Sequence, residues 1–181
     1  MYIKKGQHRI VVVIPLLKIA LKFPRIYYRY AYNMCIHYIK HGKILERIKN
    51  EIYEYDIYVE GTVKRFLFIG IIENWREYRF YQKTKHPILQ PTYFSFFGVL
   101  NIQKMGKYVQ MDGYDLYVHL YEILGKVFIL NHHHFSNPEN FSYENEQLWI
   151  IDYGDIKVQK EIEKYGDKFI KEFDINYKKD D

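Results

Sequence analysis

The hydrophobic pattern opens with two β-branched, apolar runs, Arg9–Ile14 and Leu16–Phe23, punctuated by Gly6 and Pro15. Both read as strands, and Pro24 stops the second. Ile26–Lys40 is rich in Tyr, lacks a breaker and predicts a helix closed by His41-Gly42. Lys43–Glu54 carries Ile44, Ile48 and Ile52 at helical spacing, with Glu46 in the first turn, and predicts another helix. Ile57–Val59 and Val63–Ile69 flank Glu60-Gly61 and read as a hairpin. Glu73–Lys85 predicts a helix on which Trp75, Tyr78 and Tyr81 share a face; Pro87 and Pro91 end it.

Tyr93–Phe97 and Val99–Gln103 read as strands joined at Gly98. Asp112-Gly113 opens a helix over Tyr114–Leu124 that Gly125 ends. The apolar run Val127–Leu130 leads into a polar loop, Asn131–Asn140. Phe141–Tyr143 and Leu148–Ile151 are short strands around Glu144-Asn145-Glu146. Asp155 caps a last amphipathic helix with Ile162, Tyr165 and Phe169 inward, followed by a charged tail, Tyr177–Asp181. The fold class is α+β: an N-terminal antiparallel sheet with helices, then a helical half.

Composition narrows this. At 181 residues the length fits one domain, and 48% hydrophobic residues exclude a disordered tail. Aromatics at 19% argue against a solenoid or coiled coil. The single cysteine, Cys35, excludes an intrachain disulfide framework and a multi-cysteine zinc site, and makes the cytoplasm the default location. Cys35 sits in the aromatic helix and reads as a core thiol. Tyr27, Tyr28, Tyr30 and Tyr32 read as the wall of an aromatic core, with base stacking as the alternative.

Charge changes the picture further. Residues 1–50 hold 11 Lys/Arg and one acid, Glu46; residues 51–181 hold 16 Lys/Arg and 21 acids. The basic third suits an anionic partner: a nucleotide, a nucleic acid, or a protein or lipid surface. The longest uncharged run near the start, Ile10–Leu17, falls short of the ~20 residues a transmembrane helix needs. No small-x-small cleavage site follows it.

The chemistry concentrates in Asn131 to Asp155. Pro138-Glu139-Asn140 precedes a short hairpin whose last strand delivers Asp152-Tyr153-Gly154. Asn140 and Asp152 leave neighbouring strand ends, so their oxygens can converge on a hard cation such as Mg²⁺. Gly154 allows a sharp turn after the carboxylate. Turn chemistry alone also accounts for both residues. His132-His133-His134 are consecutive, point in different directions and lack a helical His-x-x-x-His partner, so zinc is not expected.

This stretch resembles the protein-kinase-like fold. The kinase catalytic loop H-R-D-L-x-x-x-N is followed, after a hairpin, by D-F-G. His133 to Asn140 takes that register, and Asp152-Tyr153-Gly154 stands for D-F-G. The resemblance implies Asn140 and Asp152 on magnesium and nucleotide phosphates, with Asp152 among the catalytic residues. It also implies a strand lysine paired with a helix glutamate. Glu77 resembles that glutamate; Lys22 is the lysine of choice and Lys64 its competitor. Gln103-Lys104-Met105-Gly106 falls in the place of the hinge. On this reading residues 1–106 are N-lobe-like with an insertion at about 25–70, and residues 107–181 are a reduced C-lobe. Small bacterial lipopolysaccharide-core kinases look similar in carrying extra residues there.

The sequence departs from the pattern. Phe135 fills the position of the catalytic aspartate and cannot accept a proton. His133 or His134 is the stand-in base, His133 the first choice. No G-x-G-x-x-G precedes the first strands, and the 27 residues after Gly154 leave no room for a full helical lobe. Three functions therefore compete. One is an ATP- and Mg²⁺-dependent phosphotransferase using Lys22, Glu77, Asn140, Asp152 and His133. The second is an inactive pseudokinase acting as a nucleotide-binding or interaction module. The third is a basic nucleic-acid-binding protein.

Overall fold

The computed structural model describes residues 1–42, 63–127 and 132–177. The first strands are β1 (Tyr2–Lys5), β2 (Arg9–Ile14) and β3 (Ile19–Pro24), with a 3-10 turn at Pro15–Leu17. Helices α1 (Tyr28–Lys40) and α2 (Val63–Thr84) follow, then β4 (Thr92–Phe96) and β5 (Leu100–Lys104). These five strands form an antiparallel sheet in the order β1-β2-β3-β5-β4. The remainder comprises α3 (Gly113–Ile123), the single turn α4 (His132–Phe135), the hairpin β6 (Phe141–Glu144) and β7 (Gln147–Ile150), and α5 (Ile156–Glu172). The chain is mixed α+β, with the antiparallel sheet at its N-terminal end.

Most expected elements appear within a residue or two. Asp112 caps α3 by accepting from the Tyr114 N–H, and Asp155 caps α5 by accepting from the Lys157 N–H. Asn145 and Glu146 both adopt positive φ, as a two-residue hairpin turn demands. β1 was not expected: Tyr2–Lys5 alternates mostly exposed side chains and gains its place by pairing with β2.

Val63–Ile69 is helical rather than the second strand of a hairpin. Its β-branched composition favours a strand, but its backbone continues unbroken into α2, and packing overrides the propensity. Ile69, Glu73, Asn74, Glu77 and Phe80 form the buried stripe of that helix. α2 thus takes in the last residues of the expected 25–70 insertion. The expected helix Lys43–Glu54, the strand Ile57–Val59 and the turn Glu60-Gly61 lie outside the described residues. So do the last three residues of Val127–Leu130 and all but the first of the tail.

Two expectations about α1 are corrected. Cys35 is exposed, not a core thiol. Tyr28, Tyr30 and Tyr32 are also exposed, and only Ala31 of this helix is buried. Among the described residues α1 packs against α2, where Tyr30 stacks on Phe66 with ring centroids 5.7 Å apart. The apolar core lies elsewhere: Leu116 and Leu120 of α3, Phe135, Phe141, Leu148, Ile150 and Tyr153, and Val158, Ile162 and Phe169 of α5. β7 joins it to the segment between α2 and β4, with Ile150 N donating to Ile88 O and Gln90 N to Ile150 O. Among the described residues no helix is long and apolar enough to cross a membrane.

Candidate functional site

A cleft of about 400 Å³ lies where the β1–β3 face meets the residues that flank the β6–β7 hairpin. Strand parity explains its inner wall. Side chains two apart share a face, so Arg9, Val11 and Val13 of β2 line the cleft together. The β2–β3 register sets Val11 opposite Lys22 and Val13 opposite Ala20, which adds those two to the same wall.

Lys22 is buried and its Nζ lies 2.9 Å from both carboxylate oxygens of Glu77. The same ammonium donates to Ile151 O at 2.8 Å, one residue before Asp152. The lysine is therefore held between α2 and the end of the β6–β7 hairpin. Lys64 shares α2 with Glu77, but its side chain lies outside the described residues. Glu77 is fully buried and carries a second cation, since Arg9 Nη1 donates to its Oε2 at 2.7 Å. The other terminal nitrogen of Arg9 donates to Asp152. Arg9 thus bridges the carboxylates of Glu77 and Asp152, and shares Glu77 with Lys22.

The charges respond to this packing. Burial pushes the Lys22 ammonium below its ordinary value, and Glu77 offsets only part of that. Burial alone would raise Asp152, but Arg9, His134 and Lys22 outweigh it and hold the carboxyl well below the usual carboxylate range. Burial likewise works against the Arg9 guanidinium, and the carboxylates of Asp152, Glu77 and Glu73 push it the other way, well above its ordinary value.

Asp152 is placed by its neighbours in sequence. Tyr153 is fully buried; its hydroxyl donates to Gln90 O at 2.7 Å and lies 2.7 Å from Thr92 Oγ1. Gln103 Nε2 donates to Ile151 O at 2.9 Å. Gly154 is needed for a close approach, not for a turn, because its φ is not positive. A Cβ there would sit 2.7 Å from Glu73 O of α2. Gly154→Ala should therefore push α2 and the hairpin apart and cost about 1–3 kcal/mol. Urea unfolding of the variant beside wild type measures this.

Asn140 ends a 3-10 turn, Pro138–Asn140, and lines the cleft with Asp152. Its backbone O accepts from Ile151 N at 2.7 Å, which fixes the two strand ends side by side. Its side-chain Nδ2 donates to His134 O at 2.9 Å and lies 3.2 Å from His134 Nδ1. Burial lowers the His134 pKa, which disfavours its imidazolium form. A histidine with a folded-state pKa below its unfolded value binds fewer protons when folded. Stability should accordingly fall as pH drops through and below about 6.5. Urea midpoints at pH 8 and pH 5.5 test this, and His134→Gln should remove part of the dependence; His119, also lowered by burial, acts in the same direction.

His133 is exposed and lines the cleft. Phe135 is fully buried against Phe141 and Phe169, with centroids 6.0 and 6.1 Å away. Gln103, Lys104, Met105 and Gly106 all border the cleft, and Met105 N donates to Lys18 O at 2.9 Å. Among the described residues no three His, Cys, Asp or Glu side chains gather into a metal-holding group.

Sequence reasoning passed over Arg9, His8 and Glu73. His8 Nδ1 lies 3.1 Å from both Glu73 oxygens, so that nitrogen carries the proton and ties the β1–β2 turn to α2. The signal for Arg9 was its parity with Val11 and Val13, which places a lone charge on an apolar strand face. No family model matches the chain, and neither a curated protein nor a solved structure matches it.

Proposed function

We propose that the cleft binds a nucleoside triphosphate such as ATP, in the manner of a kinase-like nucleotide-binding protein. One observation carries this reading. A buried lysine on the third strand is paired at 2.9 Å with a glutamate on the helix between β3 and β4, and the same ammonium touches the backbone beside Asp152-Tyr153-Gly154. In protein kinases the third-strand lysine and the helix glutamate form the ion pair that grips the α- and β-phosphates. Lys22 would meet phosphate as a point charge, with Glu77 holding it in place. Lys4, Lys5 and Lys104 line the rim, with Lys4 paired to Glu139 at 2.8 Å and Lys104 3.9 Å from Glu144. Met105 and Gly106, at the end of β5, would border the base.

Binding without phosphoryl transfer fits best. The position of the proton-accepting aspartate holds Phe135, which faces the core rather than the cleft. A phosphotransferase with His133 as base is the second reading, favoured by that histidine's place on the cleft wall. Surface nucleic-acid binding loses some support, because two of the basic residues counted in the first third, Arg9 and Lys22, are buried in ion pairs.

ATP should raise the thermal midpoint of the wild-type protein, since a ligand that binds only the folded state stabilises it. Lys22→Met should abolish the rise. With ATP labelled on the γ-phosphate, no transfer to protein or water should exceed that of a heat-denatured control. Transfer that disappears in His133→Ala would establish the second reading instead.

A further inference from the structure

Magnesium at Asn140 and Asp152 would be the expectation for a kinase-like site, and the donor set does not fit it. Mg²⁺ needs a near-octahedral set of oxygens around a compact double charge. Here the Asp152 carboxylate already accepts from Arg9. A divalent ion on Asp152 would also lie beside a guanidinium that is almost fully buried, and so cannot swing away into water.

We infer that Arg9 neutralises Asp152 in place of a divalent cation, so that the cleft holds a nucleoside triphosphate without metal. The inference rests on the nucleotide-binding reading above. Arg9 suits the task. Its charge is permanent, and its planar fork offers five N–H donors. The two contacts to Glu77 and Asp152 engage both terminal nitrogens and leave donors for phosphate oxygens. Arg9 lies on the same wall of the cleft as Lys22, and the ion pair with Glu77 fixes its position from behind. The charges facing it are Glu77 and Glu73 from α2, Lys22 from β3, and Asp152 beyond the hairpin. Two cations and three carboxylates would repel a polyphosphate. His8 engages Glu73, however, and Lys5 adds a further cation at the mouth, where Lys4 pairs with Glu139 at 2.8 Å.

The test is a titration with fluorescent ribose-labelled ATP, once in EDTA and once in excess MgCl₂. Wild-type dissociation constants should agree within about threefold. Arg9→Met should weaken binding in EDTA by at least about tenfold, and Mg²⁺ should recover part of the loss because Asp152 is then free. Should Arg9→Met fail to fold, Asp152→Asn serves instead. It keeps the Arg9–Glu77 pair and should bind in EDTA as well as wild type does. Binding that requires Mg²⁺ in the wild type overturns the inference and leaves the nucleotide reading standing. Loss of EDTA binding in Asp152→Asn, or undiminished EDTA binding in folded Arg9→Met, also overturns it. No binding under either condition overturns both.

Discussion

Glu77→Ala should lower the stability of the protein by about 3–5 kcal/mol, the usual consequence of removing one partner from a buried ion pair. Glu77 is fully buried and serves both Lys22 and Arg9. Its loss leaves Lys22 without its hydrogen-bonded carboxylate in a site where burial already disfavours the ammonium. Arg9 retains Asp152, so the damage centres on the lysine. Urea unfolding gives the magnitude. A double variant, Lys22→Met with Glu77→Leu, should regain most of the stability, because an apolar pair of similar volume avoids the desolvation of both charges. It should still fail to bind ATP. Recovery of stability without recovery of binding separates the structural role of this pair from its proposed ligand role.

Phe135→Asp should not create a phosphotransferase, and it should not yield a folded protein. By position alone this substitution looks like a repair, since an aspartate would return to the catalytic loop. The structure gives the opposite expectation, because Phe135 packs between Phe141 and Phe169 in the centre of the apolar core. Truncating a core phenylalanine costs about 3–5 kcal/mol. An unpaired carboxylate in the same place adds several more, to the order of 2–7 kcal/mol for a buried polar group without a partner. Phe135→Leu, which keeps an apolar side chain, should cost under about 1.5 kcal/mol. Far-UV circular dichroism and urea midpoints of the two variants check both statements. A folded Phe135→Asp protein that transfers phosphate would show that this loop faces the cleft.

The elements that sequence reasoning found and missed follow a physical rule. Strands such as Arg9–Ile14 and the hairpin around Asn145 were legible because alternation and turn residues are local signals. The caps Asp112 and Asp155 were legible for the same reason. The first part of α2 was not. The core-facing stripe of that helix includes Glu73, Asn74 and Glu77, which resemble a solvent face when burial is unknown. Its apolar residues instead suggested a strand at Val63–Ile69.

The site shows the same division. Motif order singled out Lys22, Glu77, Asn140 and Asp152, and the structure brings Lys22 to Glu77 and sets Asn140 and Asp152 on one cleft. Arg9 escaped notice because its partners lie 68 and 143 residues away in sequence. No local pattern announces an ion pair of that span. The role of Gly154 was also misread: the residue makes room for the backbone of α2, a tertiary requirement that turn chemistry does not express. In α1 the aromatic run suggested a core helix, yet Tyr28, Tyr30, Tyr32 and Cys35 face outward. An unbroken apolar-aromatic segment does not by itself state what it packs against.

The central claim is that Lys22 meets the phosphates of a bound nucleotide. An acyl phosphate derivative of ATP tests it most directly, because the derivative passes its acyl group to the amine nearest the phosphates. Burial lowers the Lys22 pKa, which increases the share of free amine able to react. Peptide mass spectrometry after labelling should place the acyl group on Lys22, and excess ATP should suppress it. Labelling confined to exposed lysines, or labelling of Lys22 that excess ATP leaves unchanged, would contradict the account.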